Sequence, residues 1–248
     1  MTADLEVDIR DGQVAVLVLT RADKRNALSL VLIGALQAAL ERLEAEGLRA
    51  MVLAAEGSAF SSGADFSDLT GDGADEAYDA AMSGLTSALE ASPVISVAAI
   101  HGPCVGAGLD LALACDFRLA TEAASFSLPA VKMGILYNPA RLATLAGRLS
   151  PGSLQRLLLL GERLDRNAAV AAGIVTHAHP GTKADAAVRG ALELAKAAAD
   201  LPPRAQIASK AFLKAMGRED YAPDVWQQRR MELLSSDERR AALRRAKG

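Results

Sequence analysis

The chain has 248 residues, is 51% hydrophobic and 23% charged, and carries a formal net charge of −3. These values fit a folded protein with one sizeable α/β core and exclude a disordered chain. No basic tract points to nucleic acid, and no run of about 18 apolar residues predicts a membrane span. The two cysteines, Cys104 and Cys115, sit in apolar surroundings and read as small buried hydrophobes in a reducing compartment. The first residues are acidic and lack the apolar core of a secretion signal, so the expected location is the cytoplasm.

In chain order, residues 5–19 predict a hairpin turned at Asp11-Gly12. Ser29 is placed to cap a helix with Leu30, Ile33, Leu36, Leu40 and Leu43 on one face, closed by Gly47. Residues 50–54 predict a buried strand, 56–75 a polar Gly-rich segment, and 75–91 a helix. The apolar run 94–100 predicts a second buried strand, and 109–115 a buried helix. Short strands are expected at 116–120, 125–127 and 174–176. From Pro139 the chain reads as almost wholly helical, with Pro151 at a helix start and Leu154, Leu157, Leu158 and Leu160 filling that helix. Further helices are expected at 165–172, 183–200, 204–216, 223–234 and 237–246. The division is an α/β core over 1–200 and a helical C-terminal region over 201–248.

The turn between the strand at 94–100 and the helix at 109–115 holds Gly102, Gly106 and Gly108. Glycine lets backbone approach a ligand closely. A helix start presents free N–H groups at the positive end of its dipole, which suits an anion or a developing oxyanion. Asp110 lies three residues after Ala107, on the same helix face. The glycine order is not that of a dinucleotide fingerprint, and no phosphate-loop or G-x-S-x-G motif is present.

Three segments carry a resemblance: Lys24-Arg25-Asn26-Ala27-Leu28-Ser29, Ala59-Phe60-Ser61-Ser62-Gly63-Ala64-Asp65, and His101-Gly102-Pro103 through Gly108-Leu109-Asp110 to Asp116. In order and spacing they resemble the enoyl-CoA hydratase/isomerase (crotonase) family, and the match covers nearly the whole chain. The resemblance implies a spiral of ββα units with a C-terminal helical region that packs into a homotrimer or a dimer of trimers. It implies an acyl-CoA ligand in fatty-acid or related metabolism, with coenzyme A as part of the substrate and neither a separate cofactor nor a metal. The thioester carbonyl would lie between the backbone N–H groups of Ala64 and Ala107, an oxyanion hole worth about 3 kcal/mol per donor. Substrate contacts are implied for Lys24, Arg25 and Ala27 near the CoA adenine, and for Gly63, Asp65, Gly106, Ala130, Tyr137 and Asn138. Ser67 stands where some members carry a lysine for the CoA phosphate.

The departures bear on the reaction. Hydratases of the family use two glutamates. The first matches Asp110, a shorter carboxylate, and the second matches Ala130, which transfers no proton. Dienoyl-CoA isomerases of the family also carry aspartate at the first position, but their further acid matches Asn138, whose amide is no base at neutral pH. Asp110 is thus the one candidate acid/base. Two readings follow: a hydratase or isomerase with a single carboxylate, or a catalytically degenerate acyl-CoA-binding protein that keeps only the oxyanion hole.

For other residues a structural role is the expectation. Asp65 is placed to order its own loop, Asp116 to cap or turn the end of its helix, and His101 to sit at a strand end. His177 and His179 lack a third ligand for zinc. Arg239, Arg240, Arg244, Arg245 and Lys247 form a solvated face from which one could reach a CoA phosphate.

Overall fold

A computed structural model describes residues 4–216 and 222–247. Nine strands and ten α-helices are seen among them. The main sheet has the order β1 (Leu5–Arg10), β2 (Val14–Leu19), β3 (Ala50–Ala55), β4 (Ile95–Ile100), β6 (Phe117–Ala120), β9 (His177–Ala178). Only the β1–β2 hairpin is antiparallel. β3 and β4 are buried at every residue, because both sheet faces are covered. One face packs on α1 (Leu30–Ala45), α2 (Glu76–Ala91) and α3 (Ala107–Ala114). The other packs on α7 (Ala184–Ala199), whose buried face is entirely alanine and glycine and so lets the helix lie close to the strands.

A second layer places the candidate site. After β2, β3, β4 and β6 the chain makes a further short extended segment, and these segments pair with one another in turn. Leu28 bridges Ala64, and Ser61 bridges Cys104 in β5 (Pro103–Val105). β5 pairs with β7 (Ser125–Ser127), and β7 with β8 (Leu164–Asp165). This is the expected spiral of ββα units. β5 lies within what the sequence presents as a turn, since three residues flanked by Gly102 and Gly106 carry no strand periodicity.

The capping expectations hold. Ser29 Oγ accepts from the Leu32 N–H, and Gly47 closes α1 at φ 72°. The last strand is not at 174–176 but at His177–Ala178. Ile174 and Val175 instead wrap back onto the end of α6 (Arg166–Ala171), their N–H groups donating to Ala169 O. Of the four leucines expected to fill α5 (Pro151–Leu159), only Leu157 is fully buried, and Leu160 is 66% exposed beyond the helix end. α4 (Pro139–Ala146), α8 (Pro203–Ala215), α9 (Pro223–Leu234) and α10 (Asp237–Lys247) complete the chain. Neither α8 nor α9 has a buried residue within the single chain. Lys210 nonetheless ties α8 to the core, donating to Asp116 Oδ2 at 2.8 Å and to the Leu89 and Val94 carbonyls at 3.2 Å. Among the described residues no helix is long and apolar enough to cross a membrane.

Candidate active site

The pairing of the second layer carries two turns to one place. Gly63, at φ 98°, lies so close to the β5–α3 turn that a Cβ there would stand 2.9 Å from Val105 O and 3.5 Å from the Ala107 nitrogen. Gly106, at φ 54° and ψ −124°, takes a backbone conformation open to glycine and starts α3. On the first turn, Leu28 N–H donates to Gly63 O and Asp65 N–H to Leu28 O, at 2.8 and 3.0 Å. That alternation turns the intervening Ala64 N–H away from Leu28. Ala107 opens α3, so its N–H has no acceptor within the helix. Among the described residues neither the Ala64 nor the Ala107 N–H has a hydrogen-bond acceptor. Two half-buried donors from adjacent turns thus stand ready for an oxygen.

Buried polar residues brace this arrangement. Asn26, fully buried at φ 54°, accepts from Arg21 N–H and donates through Nδ2 to the Glu56 and Ala59 carbonyls. Ser61 Oγ donates to Asn26 O and accepts from Gly63 N–H. The Tyr78 hydroxyl donates to Leu28 O at 2.8 Å. Lys24 and Arg25 lie exposed beside these loops, Arg25 in the left-handed region, while Ala27 is buried.

Asp65 orders its loop, as its sequence setting predicts. It accepts from the Ser67 N–H and hydroxyl and from Arg21 Nη2. The Ser67 hydroxyl and backbone, and then Arg21, hold its carboxyl down at about 2. Asp116 likewise accepts from Ser96 N–H and Oγ. His101 is buried with Nε2 3.0 Å from Gly57 O, and burial lowers its pKa. The side chains of His177 and His179 join no metal-binding group among the described residues.

Asp110 sits one turn into α3 and is only 2% exposed. Its partner was not legible in the sequence. Arg141 of α4 spans both carboxylate oxygens, Nη2 to Oδ1 at 2.7 Å and Nε to Oδ1 and Oδ2 at 3.0 and 3.1 Å. Arg141 Nη1 reaches Glu90 Oε1 at 3.2 Å, and Glu90 is also paired with Arg148 at 3.2 Å. The half-buried Tyr137 lies beside Asp110; burial, and after it the Asp110 charge, pushes its hydroxyl well above the usual phenol range. Asn138 caps α4, its Oδ1 accepting from the Ala140 and Arg141 N–H groups, and its Nδ2 lies 3.4 Å from Ser83 Oγ. Ala130 is half-buried in the 3-10 turn Pro129–Met133 that leads towards Tyr137. A cavity of about 640 Å³ on the α7 face, lined in part by Ala54, Gly57, Val188 and Leu192, includes none of the candidate site residues.

The family model for enoyl-CoA hydratase/isomerase matches residues 10–241. The chain belongs to the enoyl-CoA hydratase/isomerase family. Two Mycobacterium tuberculosis proteins, each named a probable enoyl-CoA hydratase, are similar to it. One is 35% identical over 173 residues, covering 70% of this chain and 69% of the relative. The other is 34% identical over 213 residues, covering 83% and 79%. The crystal structure of an enoyl-CoA hydratase/carnithine racemase from Magnetospirillum magneticum superposes with a TM-score of 0.89 at 29% identity, over 100% of this chain and 94% of that one. The fold as a whole is therefore shared with a solved enoyl-CoA hydratase/carnithine racemase structure.

Proposed function

We propose that this chain is an enzyme of the enoyl-CoA hydratase/isomerase type. Its substrate is an enoyl-CoA thioester of fatty-acid or related acyl-CoA metabolism, and coenzyme A enters as part of that substrate rather than as a cofactor. The observation that carries the reading is the pair of unpartnered N–H groups at Ala64 and Ala107 on abutting turns. Donors fixed in that way stabilise negative charge as it grows on a thioester oxygen, at no cost in reorganisation. Gly63 and Gly106 let the two turns meet. Lys24, Arg25 and Ala27 form the rim for the CoA adenine, while Tyr137, Asn138 and Ala130 line the acyl side.

Asp110 is the acid/base. In a double-bond shift it takes a proton from C2 of a 3-enoyl thioester, and the C–H electron pair moves into the carbonyl to give an enolate held by Ala64 and Ala107. The enolate then collapses as the protonated carboxyl returns the proton to C4, leaving a 2-enoyl thioester. One carboxyl suffices for that shift, whereas hydration has to deprotonate water and protonate carbon. The alanine at 130 thus favours isomerisation over fast hydration. Free buried cysteines fit a cytoplasmic location. The apolar side chains that α8 and α9 leave exposed, such as Leu213 and Val225, fit burial in a trimer or a dimer of trimers.

Ultraviolet absorbance of 3-enoyl-CoA and crotonyl-CoA tests this. Turnover that Ala107→Pro abolishes in a folded protein is expected, because proline removes the N–H yet suits the first helical position. Calorimetric binding with no turnover would leave an acyl-CoA-binding protein, and no binding of any acyl-CoA would end the reading.

A further inference from the structure

We propose that Arg141 is the positioning residue for Asp110, fixing the direction of its carboxylate one turn from the Ala107 N–H. The inference rests on the function proposed above and names a residue that none of the three sequence segments contains.

The geometry is that of a fork closed on a carboxylate. Nε and Nη2 of Arg141 engage Asp110 at 2.7 to 3.1 Å, and Nη1 engages Glu90. Both side chains of the central pair are nearly dry, at 6% and 3% exposure, and that of Glu90 is at 7%. A planar guanidinium gripping both oxygens fixes direction as well as charge, which a lysine ammonium cannot do. The guanidinium is itself fixed. Asn138 caps the helix that carries it, Leu145 anchors that helix in the core, and Glu90 pins its far end. Glu90 is held in turn by Arg148, whose Nη1 also donates to Leu113 O. The chain of contacts thus runs from α2 through α4 to α3, and it ends at the carboxylate one turn from Ala107.

Other groups face Asp110. Tyr137 stands beside it from the loop before α4, and Asp79 of α2 adds negative charge from that side. Glu90 keeps Arg148 as a partner when Arg141 is removed, whereas Asp110 keeps only the phenol and the charge of Asp79 beside it. Without the fork the Asp110 carboxylate loses its fixed direction, so the loss falls on turnover rather than on CoA binding, which the rim and the oxyanion hole supply.

The test uses Arg141→Gln and Arg141→Lys in the full chain, with 3-enoyl-CoA turnover and the ligand-free crystal structure of each variant. Arg141→Gln is expected to lower kcat at pH 7 by tenfold or more, with KM changed less than about twofold. In the ligand-free crystal structure of Arg141→Gln the Asp110 carboxylate should have left the position that the fork gives it in wild type. Arg141→Lys keeps a positive charge without the fork, so its kcat should stay depressed. A folded Arg141→Gln with Asp110 unmoved would overturn the proposal, as would a fall in activity carried by KM alone. If Arg141→Gln does not fold, Arg141→Lys decides, and a wild-type kcat there contradicts the role. A wild type that turns over no enoyl-CoA would end the proposed function, while the position of the Asp110 carboxylate in the variant crystals would still decide whether Arg141 holds it.

Discussion

Asp65 and Asp110 stand close to the same pair of turns, yet their settings differ. Asp65 is spent on its own loop and on Arg21. Its depressed folded value means that it stabilises the fold above the unfolded value of 3.8, and that this contribution is lost as pH falls towards about 2. Asp65→Ala should therefore cost about 1–3 kcal/mol at neutral pH in a denaturant melt, with the difference from wild type vanishing at the acidic end. Asp110 accepts from the Arg141 side chain and has a phenol beside it. At 130 a carboxylate can be supplied. Ala130→Glu should raise crotonyl-CoA hydration by about tenfold or more, and Asp110→Asn in that background should abolish the gain. A double variant that hydrates as fast as Ala130→Glu alone would show that Asp110 does not take part. Asp65, Ala64, Ala107 and Asp110 were legible because each sits in a short local pattern. Arg141 was not, since its contact with Asp110 spans 31 residues and depends on how α4 lies over α3.

At the scale of elements, the site depends on how closely α3 approaches the segment at residues 61–64. A Cβ at Gly108 would stand 2.6 Å from the Ser61 Cβ, so this helix has no room for even a methyl group. Gly108→Ala should push α3 outward, at about 1–3 kcal/mol in stability. The Ala107 N–H moves with the helix, so enoyl-CoA turnover should fall by at least about tenfold in protein that still melts cooperatively. Wild-type turnover in Gly108→Ala would mean that this spacing does not set the oxyanion hole. The periodic elements were readable: the hairpin at Asp11-Gly12, α1 between Ser29 and Gly47, and the unbroken apolar runs of β3 and β4 each carry a local signal. β5 and β9 were not, because strands of three and two residues take their form from partners rather than from their own pattern. The same holds for the region after Pro139. Helices were readable there, but how deeply each is buried is a property of what covers it.

At the scale of the molecule, one chain leaves a row of large apolar side chains in water along its C-terminal half. Leu201, Leu213, Met216, Val225 and Met231 are each more than half exposed. Self-association covers such faces. Light scattering should give a mass that is a multiple of three times the 25.8 kDa chain, and a monomer at micromolar concentration would contradict it. The pair of free N–H donors at Ala64 and Ala107, proposed as the oxyanion hole, is by contrast built within one chain, from turns that the second strand layer brings together. Its most direct test is a crystal structure with acetoacetyl-CoA, an enolisable thioester. The thioester oxygen should lie about 3 Å from both the Ala64 and the Ala107 nitrogens, with the acyl group passing Asp110. A thioester oxygen bonded to neither nitrogen, with the ligand seated elsewhere on the fold, would contradict the account.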